Sequence, residues 1–106
     1  MKVLYVEVGK RPEVIEIDGN LDELQRLVGG YVEQVVLDEE SSILCDEDGY
    51  RKESPTNRII LHNGKYVCEL VGNFLIVGTN EIEICSLSDS QLETYKESFK
   101  YYTVRL

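Results

Sequence analysis

The sequence predicts an α+β domain: a mostly antiparallel sheet built from hairpins, with two helices. Three observations predict it. Short runs of Val, Ile, Leu and Tyr are repeatedly cut by turn residues, most clearly at Gly9–Pro12, Asp38–Ser41, Asp46–Gly49 and Asn63–Gly64. Only two segments, about 20–28 and 88–100, place apolar residues at helical spacing behind a capping residue. The resulting order is β-β-α-β-β-loop-β-β-β-α, without the strand–helix alternation of a parallel sheet. With 106 residues, the chain amounts to a single domain, 1–106.

Lys2 to Val8 is rich in β-branched and aromatic residues and predicts a strand; Glu13–Ile17 alternates and closes a first hairpin across Gly9–Pro12. Asn20 is a good helix cap, with Glu23 at the reciprocal position of a capping box. Leu21, Leu24, Leu27 and Val28 then share a helical face, and Gly29-Gly30 ends the helix in a left-handed cap. Tyr31–Leu37 and Ser42–Asp46 predict a second hairpin turned by Asp38–Ser41. Tyr50 to Thr56 is polar, contains Pro55 and predicts a loop. Asn57–Leu61 and Tyr66–Leu70 flank Asn63-Gly64, the dipeptide that best signals a tight hairpin. The first five elements also allow a β-grasp-like arrangement.

Val71–Gly78 is the most apolar run and is bounded by glycines, which predicts a central buried strand or a strand following a loop. Glu81–Cys85 alternates, predicting a strand with one wet face. Ser88 and Gln91 make a capping box, and Leu87 and Leu92 occupy the positions of a hydrophobic staple. Leu92, Tyr95 and Phe99 form the buried face of that helix, and Tyr101–Leu106 either adds a terminal strand or frays. The predicted core is Leu24, Leu27, Val35, Leu44, Phe74, Ile76, Leu92 and Phe99.

Composition excludes several function classes. The chain carries 20 acidic and 11 basic residues, a net charge of −9, which repels phosphate and argues against general nucleic-acid binding. No run reaches the length of a membrane helix, and Glu7 interrupts the N-terminal apolar residues where a secretory signal would continue. A cytoplasmic setting is expected. Cys45, Cys68 and Cys85 have no paired spacing and predict three reduced thiols.

The charge is concentrated. Glu33, Asp38, Glu39, Glu40, Asp46, Glu47 and Asp48 are seven acids among sixteen residues that hold no base; the other 90 residues are nearly balanced, with 13 acids and 11 bases. In a hairpin, Asp38-Glu39-Glu40 falls at the tip and Asp46-Glu47-Asp48 at the opposite end, so the charges line a ribbon. Such a ribbon steers a basic partner, or imitates the charge spacing of nucleic acid. The plain alternative is a solvated acidic turn that keeps the domain soluble.

Asp46-Glu47-Asp48-Gly49 does not continue as a calcium loop, because the twelfth position from Asp46 is Asn57 rather than Glu. His62 is the single histidine, and no nucleophile motif, phosphate loop or dinucleotide fingerprint is present. No catalytic residue, metal or cofactor is therefore expected. Asn57 and Arg58, after the rigid Pro55, read either as an internal clamp, with Asn57 capping a turn and Arg58 bridging to a carboxylate, or as contacts to an anionic ligand. Tyr31 reads either as a core aromatic or as part of the same ligand site.

Several segments together resemble one family. They are Leu24–Glu33 with its Gly29-Gly30-Tyr31, Leu44–Gly49 with Asp46-Glu47-Asp48-Gly49, Asn57-Arg58 after Pro55-Thr56, and Val71–Gly78. The sequence is similar to a small domain of unknown function found in bacteriophages and mobile elements of low-GC Gram-positive bacteria. Where many relatives carry Gly-Leu-Pro-Pro before Asn-Arg, this chain has Arg51–Thr56. The resemblance implies an accessory gene in a prokaryotic cytoplasm and carries no activity with it. The function expected is a non-enzymatic protein that binds a basic host or defence protein through the acidic hairpin, without direct contact to nucleic acid or membrane. The alternative is a binder of small anionic or nucleotide-like ligands using Tyr31, Asn57 and Arg58.

Overall fold

The computed structural model describes residues 1–106. Three hairpins form where turn chemistry places them: β1 (Lys2–Val6) with β2 (Glu13–Glu16), β3 (Val32–Asp38) with β4 (Ser41–Asp46), and β5 (Thr56–His62) with β6 (Lys65–Val71). The third turns at Asn63 and Gly64, both with positive φ (50° and 78°), which is the twist a two-residue hairpin loop requires. Helix α1 (Leu21–Val28) follows the first hairpin, and β7 (Phe74–Thr79), β8 (Ile84–Cys85), α2 (Asp89–Ser98) and β9 (Thr103–Arg105) complete the chain.

The fold is α+β and mostly antiparallel, with its strands divided between two sheets. The larger is antiparallel throughout, in the order β2-β1-β7-β4-β3, with β8 extending from β7. The smaller is β6-β5-β9, in which the C-terminal strand runs parallel to β5. No β-grasp-like order forms, because β7 inserts between β1 and β4 and β5 leaves for the second sheet.

The larger sheet is the middle layer. Val3, Leu44, Leu75 and Val77 face α1, against Leu24 and Val28. The intervening Leu4, Val6, Ile43, Phe74 and Ile76 face Leu92, Tyr95 and Phe99 of the α2 segment, together with Ile60, Leu70 and Val104 of the smaller sheet. Alternate side chains of β7 thus enter two different cores, which is why its sequence is apolar at consecutive positions. Phe99 packs edge-on against Phe74 and Tyr95, at centroid distances of 5.9 and 6.2 Å.

Both helix caps form. The Asn20 side chain accepts from Glu23 N–H, but the Glu23 carboxylate reaches past the cap to the N–H groups of Asp18 and Gly19. Ser88 and Gln91 make the full capping box. Some expectations need correction. Leu21, at the first position of α1, is 60% exposed although Leu24 in the same turn is buried, and Leu27 and Val35 are only partly buried at the margins of the cores. The predicted strand at Glu81–Cys85 shortens to Ile84–Cys85. The Asn80 side chain takes the N–H groups of Ile82 and Glu83 in a turn, which leaves Ile82 92% exposed. No helix is long and apolar enough to cross a membrane.

Candidate functional site

The β3–β4 hairpin puts all seven acids on one ribbon at an edge of the larger sheet, but it sorts them into two kinds. Asp38, Asp46 and Asp48 each have a partner within the chain. Asp38 lies beside a register shift in the hairpin; its Oδ1 accepts from Glu40 N–H and Ser41 Oγ, both at 2.8 Å, and its Oδ2 from the Tyr95 hydroxyl at 2.8 Å. Burial alone would raise the Asp38 carboxyl, but these donors outweigh it and hold the group below its ordinary range. Asp46 is buried and meets Lys52 Nζ at 2.8 Å, while its other oxygen accepts from Asp48 N–H. Desolvation again opposes ionisation, and the Lys52 bond overcomes it. Asp48 pairs with Arg51 at 3.0 Å on the surface.

Glu33, Glu39, Glu40 and Glu47 are exposed, and none has a cation within 4.0 Å. Glu39 and Glu40 stand at the hairpin tip over a concavity of about 670 Å³, which Glu81 and the Ser88–Gln91 cap also line. The tip is tied down from behind: the Glu40 carbonyl accepts from Thr79 N–H at 2.9 Å and from the Gln91 side chain at 3.1 Å. Glu81 adds a third carboxylate to this cleft, and the sequence did not single it out. It belongs to the β7–β8 turn, and only the β4–β7 pairing brings that turn beside the hairpin tip.

The Gly-Gly-Tyr stretch serves the far end of the ribbon. Gly29 caps α1 with φ of 89°. A Cβ on Gly30 would lie 2.6 Å from Asp46 Oδ1 and 2.7 Å from Lys52 Nζ, so glycine is what lets the chain pass this ion pair. Tyr31 is 67% exposed and therefore not core; its backbone carbonyl accepts from Glu47 N–H.

Asn57 and Arg58 form an internal clamp, though not the one expected. Asn57 Nδ2 donates to the carbonyls of Val6 and Gly72, at 2.9 and 2.8 Å, joining the two sheets rather than capping a turn. Arg58 is 4% exposed and reaches no carboxylate. Its guanidinium donates to the carbonyls of Phe99, Asn57 and Lys10 and to Asn57 Oδ1, at 2.6 to 3.0 Å. Phe99 O lies at the end of α2 and Lys10 O in the β1–β2 turn, so the guanidinium ties both to β5. The concavity that Asn57 and Arg58 line does not include Tyr31.

Residues 1–100 match the model of a family described as a domain of unknown function, DUF3846. The chain belongs to that family. No curated protein and no solved structure matches it. No group of three or more His, Cys, Asp and Glu side chains stands together as a metal site. Cys45 and Cys68 line an apolar cleft of about 200 Å³ between the hairpin and β6. Burial, reinforced by the nearby Glu33 and Asp46 charges, pushes the Cys45 thiol up to about 11, where it is a poor nucleophile. His62 lies exposed at the β5–β6 turn.

Proposed function

We propose that this DUF3846 chain is a non-enzymatic binding protein that docks a basic protein on the exposed face of the β3–β4 hairpin. One observation carries the reading: four carboxylates without cations, those of Glu33, Glu39, Glu40 and Glu47, on a hairpin whose other three acids are already bonded to the fold. A carboxylate that stabilises nothing internally is free to form charge-assisted bonds with a partner's Lys or Arg. The tethered tip and the cleft under Glu39, Glu40 and Glu81 offer such side chains a fixed recess. β3 is also an edge strand with unpaired backbone groups along one side, a surface suited to an added strand. The resemblance to proteins of phages and mobile elements supports an accessory role in a bacterial cytoplasm, directed at a host or defence protein that itself handles nucleic acid.

The test is affinity capture from bacterial lysate with the tagged wild-type chain and with a Glu33→Gln, Glu39→Gln, Glu40→Gln, Glu47→Gln variant, at low and moderate salt. A basic protein retained by the wild type at low salt, and lost with salt or with the four substitutions, is the expected result. Equal retention by both chains would overturn the assignment of the surface.

A further inference from the structure

The chain also holds a concavity of opposite charge. The turn after β1, the start of β5 and the segment following α2 enclose about 330 Å³, lined by nine residues that include Lys10, Arg11, Arg58 and Lys100 and not one acid. In a chain with nearly two acids for each base, this wall holds four of the eleven cations. We propose that it binds a phosphate monoester of about mononucleotide size. The reading is separate from the hairpin and stands or falls without it.

Arg58 provides the strongest argument. A guanidinium buried to this degree normally has a carboxylate partner, since removing the charge from water is costly. Here four hydrogen bonds to neutral oxygens orient the group but leave its charge without a counter-ion. One of the five guanidinium N–H donors is left over. An anion entering the concavity would meet this fixed positive charge in a setting of reduced dielectric, where attraction is stronger than at the surface. The rim adds mobile charges. Arg11 has no acidic partner; Lys10 pairs with the partly buried Glu7 at 3.5 Å, and Lys100 with the exposed Glu97 at 3.1 Å and the Tyr101 ring at 5.2 Å, surface contacts that exchange readily for a better anion. Gly9, at φ of 74°, turns the chain so that Lys10 and Arg11 follow directly onto the rim.

The rest of the lining points to more than a bare anion. The volume is at the lower end of small-molecule sites and exceeds the needs of inorganic phosphate. Tyr102 lies half-exposed on the wall, where its ring can cover one face of a planar group.

Calorimetric titration of the whole chain with AMP, adenosine and inorganic phosphate tests this directly. AMP should bind, more tightly than phosphate, and adenosine should not. Arg11→Gln with Lys100→Gln should weaken AMP by about tenfold or more, with an unchanged melting temperature. Arg11 is exposed, and Lys100 is half-buried with its charge paired only to the exposed Glu97, so the double variant keeps the fold, whereas Arg58 variants lose the clamp. Amide shifts of Gly9, Lys10, Arg11 and Tyr102 on AMP addition to the wild type locate the site independently of any variant. No heat and no shifts at millimolar AMP, equal binding of adenosine, phosphate binding as tightly as AMP, or undiminished affinity in the double variant would each overturn the proposal.

Discussion

Replacing Asp38 by Ala separates the two kinds of acid on the hairpin. Asp38 holds the hydroxyls of Ser41 and Tyr95, which stand 2.6 Å from each other. Three short contacts are thus served by two hydroxyl protons. Ser41 is fully buried and Tyr95 is 7% exposed, so neither regains water easily once the carboxylate is gone. The two hydroxyls then satisfy one donor between themselves and leave the other without an acceptor, a loss of about 1–3 kcal/mol. Glu40 N–H is exposed and rehydrates. We expect Asp38→Ala to cost about 2 kcal/mol, roughly 10 °C in Tm for a domain of this size. Glu39→Ser and Glu40→Ser should each stay within about 0.5 kcal/mol of the wild type. Because folding lowers the Asp38 pKa, its contribution is complete above the unfolded value of about 3.9. It is lost as pH falls through the lower folded value. Urea melts followed by far-UV circular dichroism should therefore show the full gap at pH 7 and a closing gap below about pH 4. An Asp38→Ala midpoint indistinguishable from that of Glu39→Ser at pH 7 would show that the carboxylate does not hold the two hydroxyls.

Three further outcomes follow from the packing. Phe74 is fully buried on the middle strand, and Phe74→Ala should cost about 3–5 kcal/mol in the same melts; a loss below about 1 kcal/mol would contradict its central placement. Gly78→Ala would push a Cβ into the Ser86 backbone carbonyl beside β8, where backbone on both sides resists movement, so a drop in Tm larger than that of Glu39→Ser is expected. All three cysteines should be alkylated after denaturation without reductant, each adding one label by mass spectrometry, and in the native chain at pH 8 buried Cys45 should react more slowly than half-buried Cys85; a missing label or the reverse order of rates counts against this.

Local chemistry made most elements readable. The Ser88–Gln91 box, the Gly29 cap and the Asn63-Gly64 turn each act within a few residues, so their sequence signals survive in the fold. The division into two sheets was not readable. β9 is only three residues long and joins β5 in parallel from more than forty positions away, a pairing decided by the core beneath Val104 rather than by any local pattern. At Glu81–Cys85, alternation suggested a strand because the pattern does not register the Asn80 side chain, which draws the backbone into a turn. The acidic ribbon was visible as composition. The internal use of Asp38 was not, since its partner Tyr95 is 57 residues away. Arg58 appeared as one basic residue after a proline; its burial beneath Lys10 and Phe99 arises from the meeting of the β1–β2 turn, β5 and the end of α2. Lys10, Arg11 and Lys100 gather at one wall for the same reason.

If the unpaired carboxylates of the hairpin form the docking surface, they govern how fast a basic partner arrives. The deciding quantity is the association rate of the captured basic partner with the wild type and with the Glu33, Glu39, Glu40, Glu47→Gln variant, over a series of salt concentrations. Long-range attraction between opposite charges speeds encounter and is screened by salt, with a range of about 10 Å at 0.1 M. The expected result is a wild-type on-rate that falls steeply with salt and a variant on-rate that is slower at low salt and nearly flat, with both chains melting at similar temperatures. On-rates that coincide across the whole series would contradict the claim.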